Sequence, residues 1–213
     1  MRHTASAMLR DRDLLTRLDS AIGDGDHGAN MARGFGAVQA GLARSGLVPS
    51  TVVAPPDGSD APGEVLVRAG NCLVSVVGGA SGPLFGGAFR ALGEALGSSP
   101  EVDAHRFATG LAAGLAKIQQ LGAAVPGDKT MIDAYAPAVD AFRAAAESGT
   151  AFATAAQAAA EAAEAGMRDT VPLQARKGRA AYLGLRSIGH QDPGATSTAA
   201  VFRALAEASG HLR

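Results

Sequence analysis

Three carboxylates, an imidazole and an amide fall within residues 19–30 (DSAIGDGDHGAN), with Gly23, Gly25 and Gly28 between them. Asp24 and Asp26 flank Gly25, and Asp19 lies a short step before them. Hard divalent cations such as magnesium take oxygen ligands, usually one or two carboxylates completed by substrate phosphates and water. Glycines permit the sharp turns that let neighbouring carboxylates converge on one point. Negative charges this close repel one another unless a cation sits among them. The same residue types also build an ordinary surface turn, in which Asp and Asn cap the next helix and Gly supplies positive φ. With His27 and Asn30 beside the carboxylates, a metal or metal–phosphate site is the working expectation.

Three further polar stretches carry possible chemistry. In residues 78–87 (GGASGPLFGG), glycines precede a helix start at which Ser81 is the expected N-cap and Pro83 lies in the first turn. Backbone N–H groups at such a start can cradle a phosphate, although no G-K-[ST] follows as a Walker loop requires. Alone, the stretch is equally a capped helix after a turn. In residues 126–133 (PGDKTMID), Lys129 and Thr130 offer a cation and a hydroxyl that either meet a phosphate or are simply solvated or capping. Met131 reads as core, with a nucleobase platform as the alternative. Arg176, Lys177 and Arg179 form the one local basic cluster, either a solvated turn or a contact for nucleotide or an acidic partner. Residues 187–196 (SIGHQDPGAT) read as a turn centred on Asp192, Pro193 and Gly194.

The elements that must position these groups are helical. Alanine is abundant and β-branched runs are scarce, so helix propensity dominates. Apolar spacing predicts helices near residues 5–18, 28–45, 62–77, 81–96, 103–121, 132–147, 151–167 and 195–209, plus a short segment around Arg179. Gly122 is the expected stop of the fifth, and residues 47–63 read as an exposed Pro- and Gly-rich loop. Eight helices with mostly short connections make an all-α, eight-helix antiparallel up-and-down barrel or bundle. Alternate loops then share an end, which brings residues 19–30, 78–82, 122–130 and 179–194 to one rim.

The whole chain bounds the reading. Its 213 residues, 47% hydrophobic and 18% charged, suit one globular domain over residues 1–213. A formal net charge of −1 with no basic block excludes a nucleic-acid footprint. The lone Cys72 excludes an internal disulfide, and neither a signal peptide nor a membrane span is visible, so a cytoplasmic protein is expected.

Four motifs together resemble the nucleotide-binding L subunit of dihydroxyacetone kinases. They are LTRLDSAIGDGDHGANM (15–31), VGGASGPLFG (77–86), GDKTMIDA (127–134) and GRAAYLGLRSIGHQDPGATS (178–197). They cover almost the whole chain in the family's order. The resemblance implies an eight-helix antiparallel barrel with nucleotide at its mouth. It implies that Asp19, Asp24 and Asp26 hold two magnesium ions against the phosphates of ADP or ATP. His27, Asn30, Ala80, Ser81 and Gly122 would contact the nucleotide, Met131 and Arg179 would lie near its base or ribose, and Asp192, Pro193 and Gly194 would close the pocket. The related fatty-acid kinase domain carries P-D-G-D-T-G-T-N-M, and His27 in place of its threonine favours the dihydroxyacetone branch. Implied partners are a K subunit that binds dihydroxyacetone and an M subunit whose phosphohistidine recharges the nucleotide. Alternatives are an ATP-dependent subunit for another short ketose such as erythrulose, a nucleotide-loaded regulatory module, and a metal-dependent phosphohydrolase. The loop at residues 47–63 looks longer than the family's, and Ala180 and Ala181 stand where serine is common.

Overall fold

The computed structural model describes residues 1–43 and 61–210. Among the described residues there are nine α-helices, one 3-10 segment and no strand. The helices are α1 (Arg2–Arg10), α2 (Arg12–Ile22), α3 (His27–Ala43), α4 (Pro62–Val76), α5 (Ser81–Leu96), α6 (Ala104–Gly122), α7 (Ile132–Glu147), α8 (Phe152–Asp169) and α9 (Pro193–Gly210), with the 3-10 segment at Arg179–Ser187. Most of the expected long loop falls in residues 44–60, outside the described residues, as does the expected end of the second helix.

Four boundaries differ from expectation. The first helix is two, broken at Asp11, whose φ of −90° and ψ of 5° leave the helical region. After that break, α2 continues to Ile22, so Asp19 sits on its last helical turn rather than in the loop. Gly122 is still helical, and the left-handed residue that ends α6 is Ala123, at φ 47°. Pro193 opens α9 instead of sitting in a free turn, since its fixed φ suits a first helical position and it has no N–H to leave unpaired.

Consecutive helices from α3 to α9 pack on one another, except that α9 meets both α8 and α7, and α9 also closes against α1. Their registers show the directions. A Cβ added at Gly63 would lie 2.6 Å from the Gly93 carbonyl oxygen, and one at Gly70 would lie 2.6 Å from that of Gly86. Numbers rise along α4 as they fall along α5, so the pair is antiparallel and touches backbone to backbone. Between α6 and α7, Phe107 meets Phe142 at 5.4 Å between ring centroids. The Gly114 Cβ position abuts the Tyr135 hydroxyl, again an antiparallel register. On α8, Ala155, Ala156, Ala159, Ala160, Ala163 and Gly166 form the buried face against α7 and α9. Small side chains there let α8 come close without voids. One apolar core, from Ala5 to Phe202, runs through all nine helices. No helix among the described residues is long and apolar enough to cross a membrane.

Candidate metal and phosphate centre

The antiparallel order has a consequence for the rim. The loops after α2, α4, α6 and the 3-10 segment all lead into helix N-termini, those of α3, α5, α7 and α9. Residues from all four, including His27, Ser81, Ile132 and Pro193, line one cavity of about 270 Å³. Unpaired N–H groups and the positive ends of helix dipoles favour an anion there. The floor is apolar, made by Ile22, Leu84, Phe85, Ile118 and Ile132.

Asp19, Asp24 and Asp26 meet at the cavity edge, where one oxygen from each lies within 4.8 Å of the others. Asp19 is buried, while Asp24 and Asp26 are exposed. The capping reading of this loop is observed, alongside a clustering of carboxylates that the metal reading needs. The carboxylate of Asp19 accepts a hydrogen bond from the His27 N–H at 3.1 Å, capping α3 from the end of α2. Gly25 turns the chain at φ 76°, which an L side chain rarely adopts. The guanidinium of Arg179 reaches over from the 3-10 segment to pair with Asp24, supplying the positive charge that such a cluster demands.

His27 is buried, and both ring nitrogens are engaged, Nδ1 with the Ser81 hydroxyl at 3.1 Å and Nε2 with the Ser197 hydroxyl at 3.0 Å. The single proton of Ser197 goes to the Gly194 carbonyl at 3.0 Å. Ser197 therefore accepts from Nε2–H, and Nδ1 accepts from Ser81, a tautomer assigned from the network. Burial holds the imidazole below the ordinary histidine range, against the pull of the Asp19 and Asp26 carboxylates and the Pro193 carbonyl. A neutral ring results. Ser81 is consequently not the N-cap expected: the cap position is Ala80, with no side-chain bond, and the Ser81 hydroxyl serves His27. Donors for an anion at α5 are then the backbone N–H groups of its first turn.

Asp192 caps α9, its carboxylate accepting from the Ala195 N–H at 2.6 Å. Burial raises its carboxyl to about 7, and the Asp133 and Asp19 charges add to this while the Ala195 N–H and Lys129 oppose it. Met131 is buried, as the core reading expects, and also lines the cavity.

Of the residues singled out, the cavity gathers Asp19, Asp24, Asp26, His27, Ala80, Ser81, Gly122, Met131, Arg179, Asp192, Pro193 and Gly194. Asn30 is not among its lining. It is buried one turn along α3, its side-chain oxygen accepting from Arg33 at 2.6 Å, with Gly78 packed against its amide. It acts behind the glycine loop. Sequence reasoning missed the floor residues and Ser197. Phe85 follows Ser81 by one helical turn, a usable signal, whereas Ser197 is joined to the site only by the fold.

The chain matches the DAK2 domain over residues 21–207. It is 41% identical over 195 residues to the ADP-binding subunit DhaL of PEP-dependent dihydroxyacetone kinase 1 from Listeria innocua, covering 92% of this chain and 86% of that one. It is 40% identical over 199 residues to the corresponding Escherichia coli subunit, covering 93% and 89%. The structure of the C. freundii dihydroxyacetone kinase in complex with AMP-PNP and Mg2+ is similar at a TM-score of 0.70 and 30% identity. That match covers 97% of this chain and 32% of the C. freundii chain.

Proposed function

We propose, from the premise that this chain belongs to the DAK2 domain family, that it is the ADP- or ATP-binding subunit of a dihydroxyacetone kinase. It is a phosphotransferase component that holds a magnesium nucleotide and presents its γ-phosphoryl group. The observation that carries this reading is the convergence of three carboxylates and four helix N-termini on one apolar-floored cavity. Anion-favouring N–H groups next to cation-favouring carboxylates suit a metal–phosphate pair better than either alone.

The donor set fits magnesium: oxygens only, three carboxylates within 4.8 Å, with room for phosphate oxygens beside them. Asp19, Asp24 and Asp26 would hold the metal, two ions in our reading. Magnesium bound there supplies positive charge against the transferring phosphoryl oxygens. The protein's own part is positioning. The first turn of α5 offers N–H donors, and neutral His27 fixes the Ser81 hydroxyl so that no competing imidazolium charge sits beside the metal loop. Arg179, which pairs with Asp24 across the rim, would be released toward the nucleotide if magnesium held that carboxylate. Met131 and the Asp192–Gly194 turn flank the base and ribose, next to the apolar part of the lining.

The acceptor is expected on a separate K subunit, and phosphate from a phosphohistidine on an M subunit; the relatives' names, ADP-binding subunits of PEP-dependent kinases, support the coarser reading of an enzyme with more than one subunit. We read residues 1–213 as one nucleotide-binding unit working in the cytoplasm. Native mass spectrometry of the purified chain tests the proposal: bound ADP or ATP with magnesium is expected, and the Asp24→Ala variant should lose it with unchanged helical circular dichroism. Nucleotide retained undiminished by that variant counts against the site.

A further inference from the structure

Lys129 lines the cavity, and a lysine beside phosphate-favouring helix ends suggests a phosphate ligand. Its surroundings say otherwise. The residue is 1% exposed and sits at φ 62°, a conformation a non-glycine residue adopts only when its neighbours dictate it. Its ammonium donates to the carbonyl oxygens of Thr170 at 2.6 Å and Val171 at 3.4 Å, and to that of His190. An ammonium has three donors, and all three are taken.

Those carbonyls belong to two segments behind the cavity lining, the second of which runs directly into the lining residues Asp192, Pro193 and Gly194. Thr170 and Val171 follow the end of α8, and His190 precedes the cap of α9. The same two segments are laced together nearby. The Asp192 N–H donates to the Thr170 hydroxyl at 3.0 Å, and the Gly189 N–H donates to the Val171 carbonyl at 2.8 Å. Gly194 then lies against Met131, since a Cβ there would be 3.5 Å from the Met131 nitrogen and 3.0 Å from the Asp192 carboxylate. We propose that Lys129 is a positioning residue, a buried ammonium that clamps the Thr170–Val171 and His190 backbone so that Asp192–Gly194 and Met131 keep the shape that grips the nucleotide, and that it is not itself a phosphate ligand.

The clamp rests on the nucleotide reading above only for its effect on binding. Titrations of AMP and ADP with magnesium on the full chain, alongside hydrogen exchange, decide it. In Lys129→Met, losing the ammonium strands buried carbonyls, and both nucleotides should bind about tenfold more weakly. The two losses should agree within about twofold, because the clamp shapes the side of the cavity read as holding the base and ribose, which AMP and ADP share. Amides of Gly189 and Asp192 should lose protection while those of α4 and α5 keep theirs. Unchanged affinity with those segments intact, or a loss confined to ADP, overturns the proposal. If Lys129→Met does not fold, Thr170→Val keeps the ammonium but removes the acceptor of the Asp192 N–H. The same even loss is expected of it, and undiminished binding of both nucleotides refutes the clamp. Failure of the unmodified chain to bind either nucleotide would strike the nucleotide reading instead, while the exchange measurement still judges the clamp.

Discussion

Asp192 shows how a single buried carboxyl couples the site to pH. Its folded value near 7 lies well above the ordinary carboxylate value of 3.8, so the folded state holds the proton more tightly than the unfolded one. The stability it contributes is fully present below 3.8 and is lost as pH rises to about 7. Asp192→Asn keeps an acceptor for the Ala195 N–H but cannot ionise. The variant's stability advantage over the unmodified chain should therefore grow from about pH 4 to about pH 7 and then level off, as read by urea denaturation across that range. An advantage independent of pH would contradict the assignment. The convergence of Asp19, Asp24 and Asp26 was legible in the sequence because it depends on local spacing. Lys129 and Ser197 were not, because their partners lie 41 and 170 positions away. Asn30 misled by its neighbourhood: it is close to the carboxylates in sequence, but the helical turn aims it at Arg33 and Gly78.

At the scale of elements, the contact between α4 and α5 depends on four glycines, Gly63 and Gly70 facing Gly93 and Gly86. A Cβ at Gly86 would stand 2.5 Å from the Val74 side chain and 2.7 Å from the Gly70 carbonyl oxygen. Backbone cannot retreat as a flexible side chain can, so Gly86→Ala should destabilise by about 1–3 kcal/mol. Gly36 on α3 meets nothing within 4 Å, and Gly36→Ala should stabilise by about 0.5–1 kcal/mol through helix propensity alone. Opposite shifts of the urea midpoint at unchanged slope are the expected pair of results. Equal shifts would show that the close approach carries no weight. Most helices were legible from apolar spacing and propensity. The break at Asp11 was not, since no proline or glycine marks it, nor was the left-handed turn at Ala123, one residue past the glycine that suggests it.

At the scale of the molecule, an antiparallel run of helices gathers alternate connections at one end, and this placed four separated motifs at one rim from the sequence alone. The remaining distinction, between a phosphate store and a complete kinase, follows from what the cavity holds. Its lining supplies groups for a metal nucleotide, and the sugar acceptor is expected on the partner. Purified alone with ATP, magnesium and dihydroxyacetone, the chain should form no sugar phosphate, and adding a K subunit should restore formation. Robust turnover by the chain alone would show that the acceptor site is present after all. The bond from His27 to Ser197 carries one more consequence, for time rather than space. It ties together residues 170 positions apart, so the assembled centre, unlike its carboxylate loop, has no local precursor along the chain. Closing so long a loop is the slow, entropically opposed event in assembling a fold. Competence to bind thus arrives late and all at once, after most of the helix content is in place, rather than growing in proportion to it.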